Sequence, residues 1–305
     1  MRQLVIAERV CLTGHILAKA FGLIGILLVI PNAEMILNLG EAGGVGQKAI
    51  QLSMADGGVV DIILGTIAVS IYAYRILGWR TWLGFMLPAV SISVGSELLG
   101  TSTGFPFGYY SYLSGLGYKI AGLVPFTIPL SWFYVGLSSY LIARAGLRVA
   151  QNPSLLRQLS AVALGALLFT CWDFALEPAM SQTSLPFWYW ENPGAFFGTP
   201  YQNYAGWFGT SALFMTVAGL LWRNTPVKLE RSQLSIPLVV YLSNFVFAAG
   251  LSLAAGFALP VSLGFALGVV PAIALWWSSK DTSANVPVAP TSTEISVASI
   301  KVAVK

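Results

Sequence analysis

Residues 158–177 read QLSAVALGALLFTCWDFALE, a run of 20 residues without a charge before Asp173. A helix needs about 20 predominantly apolar residues to cross the roughly 30 Å hydrocarbon core of a bilayer. The run therefore predicts a transmembrane helix, and this helix ends in two acidic residues, Asp173 and Glu177.

Similar apolar runs recur along the chain. Of its 305 residues, 56% are hydrophobic and 9% are charged, with a mean hydropathy of +0.74, whereas soluble domains carry about a quarter charged residues. The runs lie at 11–31, 57–77, 82–100, 120–143, 158–177, 204–222, 235–255 and 258–277. The sequence predicts an all-α, polytopic membrane bundle of about eight transmembrane helices, with a single catalytic domain over 1–279.

The basic residues gather in alternate loops. The second, fourth and sixth loops contain Arg75, Arg80, Arg144, Arg148, Arg157, Arg223, Lys228 and Arg231, against Lys48 and Lys119 in the odd loops. Positive charge is enriched on the cytoplasmic side of membranes, so both termini are expected to be cytoplasmic. The net charge of +4 is therefore not a sign of nucleic-acid binding.

Three segments lie outside the helical runs. The tail 280–305 is rich in Ser, Thr, Val, Ala and Pro and is predicted to be disordered. Two outer loops, 101–119 and 178–203, are rich in Gly, Pro and aromatic residues. Irregular backbone at membrane depth must be enclosed by protein, so both loops are expected to fold into the non-cytoplasmic side of the bundle.

Metal ligands are scarce in this sequence. Cys11 and Cys171 lie within apolar runs, and His15 is the single histidine. This composition predicts no disulfide framework, no zinc site and no redox metal, and hence a reaction without a cofactor. His15 is expected near the cytoplasmic side as a packing or hydrogen-bonding residue.

Acidic residues in membrane spans are costly, so each is a candidate for function. Asp61, Glu97 and Asp173 lie within runs, and Glu177 follows Asp173 by one helical turn on the same face. All four are predicted to lie near the non-cytoplasmic end, with Lys119 as the one basic residue close by.

A structural role is the alternative for two of these acids. Asp61 follows Gly57 and Gly58, which favours a capping or interfacial position. Glu177 precedes Pro178, which disfavours helix and suggests an exposed loop residue. Glu97 and Asp173 are favoured for function.

A carboxyl group in an apolar pocket keeps its proton, and a second carboxyl group nearby strengthens this tendency. Such a pair supplies the acid and the base for protonation of an unactivated double bond. The outer loops contain many aromatic residues: Phe105, Phe107, Tyr109, Tyr110, Tyr112, Phe187, Trp188, Tyr189, Trp190, Phe196, Phe197 and Tyr201. Most are expected in an interfacial aromatic belt, but ring faces also stabilise cations by about 0.5–2 kcal/mol each.

Several motifs resemble one enzyme family. Residues 96–112, SELLGTSTGFPFGYYSY, are similar to a signature of the carotenoid 1′,2′-hydratases of the CruF type, which include bisanhydrobacterioruberin hydratases. The similarity continues over about 55–225, in Val124-Pro125, Ile128-Pro129, Trp132, Trp172-Asp173, Glu177-Pro178-Ala179-Met180, Trp188-Tyr189-Trp190, Phe197-Gly198-Thr199-Pro200, Asn203 and Gly206-Trp207-Phe208.

The resemblance implies a hydro-lyase that adds water across the terminal 1′,2′ double bond of an acyclic end group. The substrate would be γ-carotene or lycopene, and the product would be a tertiary alcohol on the way to myxol-type carotenoids. The resemblance also implies a bacterial plasma membrane or photosynthetic membrane, membrane lipid around the substrate, and other enzymes of carotenoid synthesis as partners.

Chemical reasoning assigns the roles of individual residues. Catalytic candidates are Glu97, Asp173, Glu177 and Asp61. Candidates for substrate binding are Phe105, Phe107, Tyr109, Tyr110, Trp132, Trp172, Trp188, Trp190, Asn203 and Trp207. Asp173 or Glu97 is expected to protonate C-2′, while the other carboxylate and Asn203 orient the attacking water.

Two other classes stay open. A proton-coupled transporter would also use buried acids, although the acids cluster at one face and no inverted repeat is evident. Another isoprenoid enzyme, a cyclase or an isomerase, would begin with the same protonation.

Overall fold

The computed structural model describes residues 1–37, 44, 57–183, 185–225 and 227–279, which form a helical bundle. The helices are α1 (Arg2–Ile24, continued by a π-helical turn, Gly25–Val29), α2 (Ala33–Leu37), α3 (Gly57–Leu77), α4 (Trp79–Thr103), α5 (Thr127–Gly146), α6 (Leu155–Ser181), α7 (Tyr201–Leu221), α8 (Ser235–Ala254), α9 (Ala258–Gly264, continued by a π-helical turn, Phe265–Val269) and α10 (Val270–Ser278). The strands are β1 (Tyr110–Tyr112), β2 (Lys119–Ile120), β3 (Val124–Pro125) and β4 (Trp188–Trp190). The predicted tail, 280–305, lies outside the described residues.

Seven helical segments in the described part of the chain are long and apolar enough to cross a membrane. They are Arg2–Val29, Gly58–Leu77, Trp79–Thr103, Leu155–Ser181, Tyr201–Leu221, Ser235–Ala254 and Ala258–Ser278. Helix α5 is as long as α8, with 20 residues, but contains more polar groups. The all-α, polytopic membrane fold is confirmed, with seven apolar spans that do not include α5.

Helix α5 occupies the centre of the bundle. Every residue from Trp132 to Ala143 is buried, and α5 packs against α3, α4, α6, α8 and α10. A helix enclosed on all sides needs no polar face toward water. Its serines instead bond to its own backbone: Ser138 and Ser139 donate to carbonyl oxygens four residues earlier, at 2.8 and 3.0 Å.

Two predicted boundaries are wrong. The run 120–143 was expected to be helical from its start, but β2 and β3 form a hairpin and α5 begins at Thr127. Ala121 and Gly122, in the turn between the strands, both have positive φ, at 52° and 73°, which a helix does not allow. Helix α6 continues through Pro178 to Ser181, so Glu177 is a buried helix residue rather than an exposed loop residue. Proline removes one backbone donor, and packing on the bundle side outweighs that loss.

One face of α4 is buried along its length. Its buried residues recur at intervals of three or four, which places them on one side of the helix: Thr81, Phe85, Ala89, Ser93, Glu97 and Gly100. Helix α4 packs against α5 and α7 on this side. The spacing therefore directs the carboxyl group of Glu97 into the bundle.

The two aromatic loops meet at one end of the bundle. Strands β1 and β4 pair antiparallel, with Tyr110 opposite Trp190 and Tyr112 opposite Trp188. At the other end, Trp222 Nε1 donates to Thr81 O at 2.9 Å and Arg231 donates to the carbonyl oxygens of the last helix. The loops rich in arginine therefore lie opposite the aromatic loops, while their assignment to the cytoplasm stays a prediction.

Candidate active site

A cavity of about 140 Å³ lies at the end of the bundle that carries β1 and β4. Side chains from α1, α3, α4, α5, α6, α7, α8, β1 and β4 form its largely apolar wall. An engineered apolar cavity of about 150 Å³ binds benzene, so this one has room for the end of an apolar chain. Phe21 of α1 lines the cavity and is 45% exposed, so the wall reaches the surface of the bundle at α1.

Glu97 lies on the cavity wall and accepts three hydrogen bonds. The hydroxyl groups of Tyr110 and Tyr112 donate to Oε2, the latter at 2.9 Å, and Trp132 Nε1 donates to Oε1 at 3.0 Å. Burial, and then the adjacent carboxyl group of Glu97, raise the pKa of both Tyr110 and Tyr112 well above the usual range. Both phenols therefore keep their protons and act as donors to Glu97.

Glu177 lies on the same wall and has different partners. Its Oε2 accepts hydrogen bonds from Trp188 Nε1 at 3.0 Å and Trp190 Nε1 at 3.2 Å. Asn203, which also holds Asp173, is a further hydrogen-bonding neighbour of Glu177. The two indole groups thus fix Oε2, and Glu177 itself lines the cavity.

The strand pair explains how four aromatic donors reach two carboxyl groups. Alternate residues of a strand point to opposite faces. Tyr110, Tyr112, Trp188 and Trp190 are buried, whereas Ser111 and Tyr189 face outward. The short pattern of alternating residues in YSY and WYW therefore aims two phenols at Glu97 and two indoles at Glu177.

Asp173 is fully buried, one layer behind the cavity wall. Its Oδ2 accepts a hydrogen bond from Asn203 Nδ2 at 3.0 Å, and Asn203 itself lines the cavity. Its Oδ1 is buried without a hydrogen-bond partner in the described part of the chain. The hydrogen bond to Asn203 therefore links Asp173 to the cavity.

Aromatic rings form the wall beside the carboxyl groups. Trp132 and Trp207 stack with ring centroids 4.3 Å apart, and Phe169 packs edge-on against both, at 5.2 and 4.9 Å. Trp172 lies parallel to Phe169 at 5.8 Å. Ring faces carry negative partial charge and attract cations, so this wall favours a positive charge in the cavity.

Phe107 shows why two glycines lie in the signature segments. A Cβ atom on Gly100 of α4 would lie 2.7 Å from the Phe107 ring, and a Cβ atom on Gly206 of α7 would lie 2.6 Å from it. Phe107 thus fills the space between two helices that lack side chains at these positions. It also packs against Trp132 at 6.0 Å, which fixes the floor of the cavity.

A second polar group borders the cavity. Lys19 Nζ donates to Asp61 Oδ2 at 2.7 Å, and His15 Nδ1 lies 2.7 Å from Asp61 Oδ1 and 2.9 Å from the backbone oxygen of Asp61. Asn244 Nδ2 is 3.3 Å from His15 Nε2, and Tyr134 donates to Asn244 Oδ1 at 3.2 Å. All five side chains are buried.

This second group corrects three expectations. Asp61 is a buried ion-pair partner, not a cap or an interfacial residue. His15 contacts Asp61 and so lies at the acidic end of the bundle, not the opposite end. The basic residue that pairs with Asp61 is Lys19, because α1 packs along α3. Lys119, which was expected near the acids, donates instead to the backbone oxygen of Tyr112 at 2.5 Å.

Most of the predicted side chains come together at the cavity. Its wall includes Asp61, Glu97, Glu177, Phe107, Tyr110, Trp132, Trp172, Trp188, Trp190, Asn203 and Trp207. Phe105 and Tyr109, by contrast, are 64% and 48% exposed. Their roles in catalysis and binding stay predictions.

Sequence reasoning missed Tyr112 as a partner of Glu97, and it missed Lys19, Tyr134 and Asn244. The alternation in YSY was an available signal for Tyr112. Lys19 was an available signal as well, since a lysine within an apolar run needs a partner. Within the described ranges, no three His, Cys, Asp or Glu side chains are grouped as a metal site would require.

Comparison with known proteins places this chain in a family. Residues 57–271 match the sequence model of a family described as "Carotenoid biosynthesis protein". The chain belongs to this family. The matched segment contains Glu97, Asp173 and Glu177, whereas α1, with Lys19, precedes it.

One relative has a named activity. The chain is 37% identical over 125 residues to the bisanhydrobacterioruberin hydratase of Haloarcula japonica, a match that covers 41% of this chain and 40% of the relative. The aligned part thus spans well under two thirds of that protein. No solved structure is significantly similar to the chain.

Proposed function

We propose that the protein is a carotenoid hydratase that adds water across the terminal 1′,2′ double bond of an acyclic end group. Family membership and the name of the Haloarcula relative support the chemical class. The observation that carries the proposal is the position of two carboxyl groups, Glu97 and Glu177, on the wall of one aromatic cavity.

The first step is protonation of the alkene at C-2′. Glu177 is the acid, because it lines the cavity and two indole groups hold its Oε2 in place. A carboxyl group enclosed among apolar groups favours its neutral form, since an ion there loses hydration. The π electrons of the double bond form the new C–H bond, and C-1′ is left as a tertiary cation.

The second step is stabilisation of that cation. Glu97 accepts hydrogen bonds from two phenols and one indole, and three donors stabilise a carboxylate. A carboxylate opposite the cation offsets its charge, and the faces of Trp132, Trp172 and Trp207 add cation–π attraction. Glu97 and Glu177 thus divide the roles of base and acid.

The third step is capture of the cation by water. An oxygen lone pair of water forms the C–O bond at C-1′, and the resulting oxonium loses a proton to a carboxylate. The product is a tertiary alcohol, and the proton consumed at C-2′ is balanced by the proton released from water. The reaction involves no redox change, so it consumes neither an oxidant nor a reductant.

The proposed substrate is an apolar carotenoid such as γ-carotene or lycopene. The cavity accommodates an end group, and the polyene extends past α1 into membrane lipid. A substrate dissolved in lipid suits a protein embedded in a plasma membrane or photosynthetic membrane. Other membrane enzymes of carotenoid synthesis would supply the substrate and consume the alcohol.

Expression in a host that accumulates lycopene or γ-carotene tests the proposal. The expected product has the mass of the substrate plus one or two molecules of water, one for each acyclic end. A product of unchanged mass would point to an isomerase or a cyclase, which begins with the same protonation. Unaltered carotenoid, combined with proton-coupled solute uptake in proteoliposomes, would favour a transporter and contradict the proposal.

A further inference from the structure

Three buried polar atoms lie near Asp173, on side chains that do not line the cavity. They are Asp173 Oδ1, which has no hydrogen-bond partner within the described residues, and the hydroxyl oxygens of Thr199 and Tyr204, which have none there besides each other. Asp173 and Thr199 are fully buried, and Tyr204 is 8% exposed. Buried polar atoms are nearly always paired, so such a group needs an explanation.

The three side chains form one cluster. Asp173 is an electrostatic neighbour of Tyr204, and the hydroxyl groups of Tyr204 and Thr199 are close enough to hydrogen-bond with each other. Phe174, which follows Asp173 in α6, packs edge-on against Tyr204 with ring centroids 4.9 Å apart. Asn203 precedes Tyr204 in the first turn of α7 and holds Asp173 Oδ2 at 3.0 Å.

A water molecule is the ligand that fits this set of atoms. Buried waters typically make about three hydrogen bonds to polar groups that otherwise lack partners. Tyr204 and Thr199 each supply a hydroxyl donor or acceptor, and Asp173 Oδ1 supplies an acceptor. An apolar ligand would leave Asp173 Oδ1 without a hydrogen bond.

We propose that Asp173, Thr199 and Tyr204 form a buried water site that supplies the reacting water to the cavity past Asn203. This inference rests on the proposed hydration reaction for its function, although the site itself does not. An apolar cavity holds water poorly, and a carbocation that meets no water loses a proton again. A water bound beside Asp173 is close to the cavity, because Asn203 contacts Asp173 and also lines the cavity. Such a water is available to capture the cation although the cavity itself is apolar.

Tyr204→Phe and Thr199→Val test the site, since each removes a hydroxyl group with little change of shape. Tyr201→Phe is the matched control, because Tyr201 lies in the same helix turn but is 66% exposed. Purified full-length protein would be incubated with substrate in D₂O. We expect alcohol formation to fall about tenfold for each test variant, as for one lost buried hydrogen bond, and to be unchanged for the control.

Deuterium in the recovered alkene separates water supply from acid catalysis. A cation that is formed but not captured loses a proton from a neighbouring carbon and returns as alkene that carries deuterium. Both test variants should therefore keep or increase deuterium exchange while alcohol formation falls. An equal loss of exchange and hydration, or no loss of either, would overturn the inference.

An experimental structure tests the water site even if the proposed hydration reaction is wrong. If the wild-type protein makes no alcohol, the hydratase proposal fails, and the water site is then judged by a high-resolution experimental structure of the full chain. We expect an ordered water within hydrogen-bond distance of all three side chains. Well-ordered side chains without a water between them would overturn the site.

Discussion

The two carboxyl groups on the cavity wall differ in their donors. Glu97 accepts from Tyr110, Tyr112 and Trp132, whereas Glu177 accepts from Trp188 and Trp190 through one oxygen. Neighbouring carboxyl groups in unlike surroundings are how proteins separate an acid from a base. At the scale of residues, this asymmetry is the basis of the proposed mechanism.

Glu177→Gln and Glu97→Gln should each abolish hydration while the protein still inserts into membranes. At position 177 a glutamine keeps one oxygen for both indole donors but removes the acid. At position 97 it removes the charge and one of the two accepting oxygens. Loss of general acid–base catalysis costs about 100- to 10,000-fold in rate. Glu191→Gln is the control, because Glu191 is exposed beside β4. Alcohol formation per mole of purified protein is the measurement, and near-normal rates for both variants would refute the assignment.

The sequence identified individual acidic residues more readily than the side chains that surround them in the fold. A carboxyl group within an apolar run stands out because charge in a membrane is rare, and Asp61, Glu97 and Asp173 were identified in this way. The expected surroundings were wrong for Glu177, which is buried in a helix, and for Asp61, because its partner Lys19 lies 42 residues away in the chain. A pairing between helices depends on tertiary packing, which periodicity within one run does not encode.

Helix packing at the element scale depends on glycines that face aromatic rings. Gly206 and Gly209 lie in the same helix, α7, but in opposite environments. A Cβ atom on Gly206 would lie 2.6 Å from the Phe107 ring and 2.9 Å from the backbone oxygen of Pro106, whereas Gly209 has no neighbour within 4 Å of that position among the described atoms. Alanine variants at these two positions therefore separate the cost of close packing from the change in helix propensity when glycine is replaced.

Gly206→Ala should lower the free energy of unfolding by about 1–3 kcal/mol, the usual cost of overpacking. Gly209→Ala should leave it unchanged or raise it by up to about 1 kcal/mol, since alanine is the better helix former. Denaturant unfolding in detergent micelles measures both. Equal values for the two variants would show that Phe107 moves aside without cost.

The ion pair between α1 and α3 makes a second prediction at this scale. Removing one partner of a buried pair leaves an isolated charge and costs about 3–5 kcal/mol. Lys19→Met or Asp61→Asn alone should therefore destabilise the protein strongly, and the double variant should be less destabilised than the sum of the two. Lys228→Met, at an exposed lysine, is the control. Additive losses in micelle unfolding would mean that the two side chains are not coupled.

The local order of the aromatic loops was harder to predict than the helices. Long apolar runs identified the spans because a helix must satisfy its own backbone in lipid. The strand pairing of residues 110–112 with residues 188–190 joins segments about 78 residues apart, and three residues are too few for a reliable period. The composition of the loops indicated that protein would enclose them. It did not indicate that the loops would supply the hydrogen-bond donors to Glu97 and Glu177.

At the scale of the whole molecule, the bundle places one cavity between two polar groups. Glu97 of α4 and Glu177 of α6 line this cavity together with Lys19 and Asp61. The family match begins at residue 57, so α1 contributes lining residues from outside the matched segment.

The central claim is that a buried acid protonates the alkene and that water supplies the new hydroxyl group. The most direct test is conversion of the carotenoid by purified protein in H₂¹⁸O under argon, with mass analysis of the alcohol. The account predicts full conversion without oxygen and one ¹⁸O atom in each new hydroxyl group. A strict requirement for O₂, with unlabelled alcohol, would contradict it.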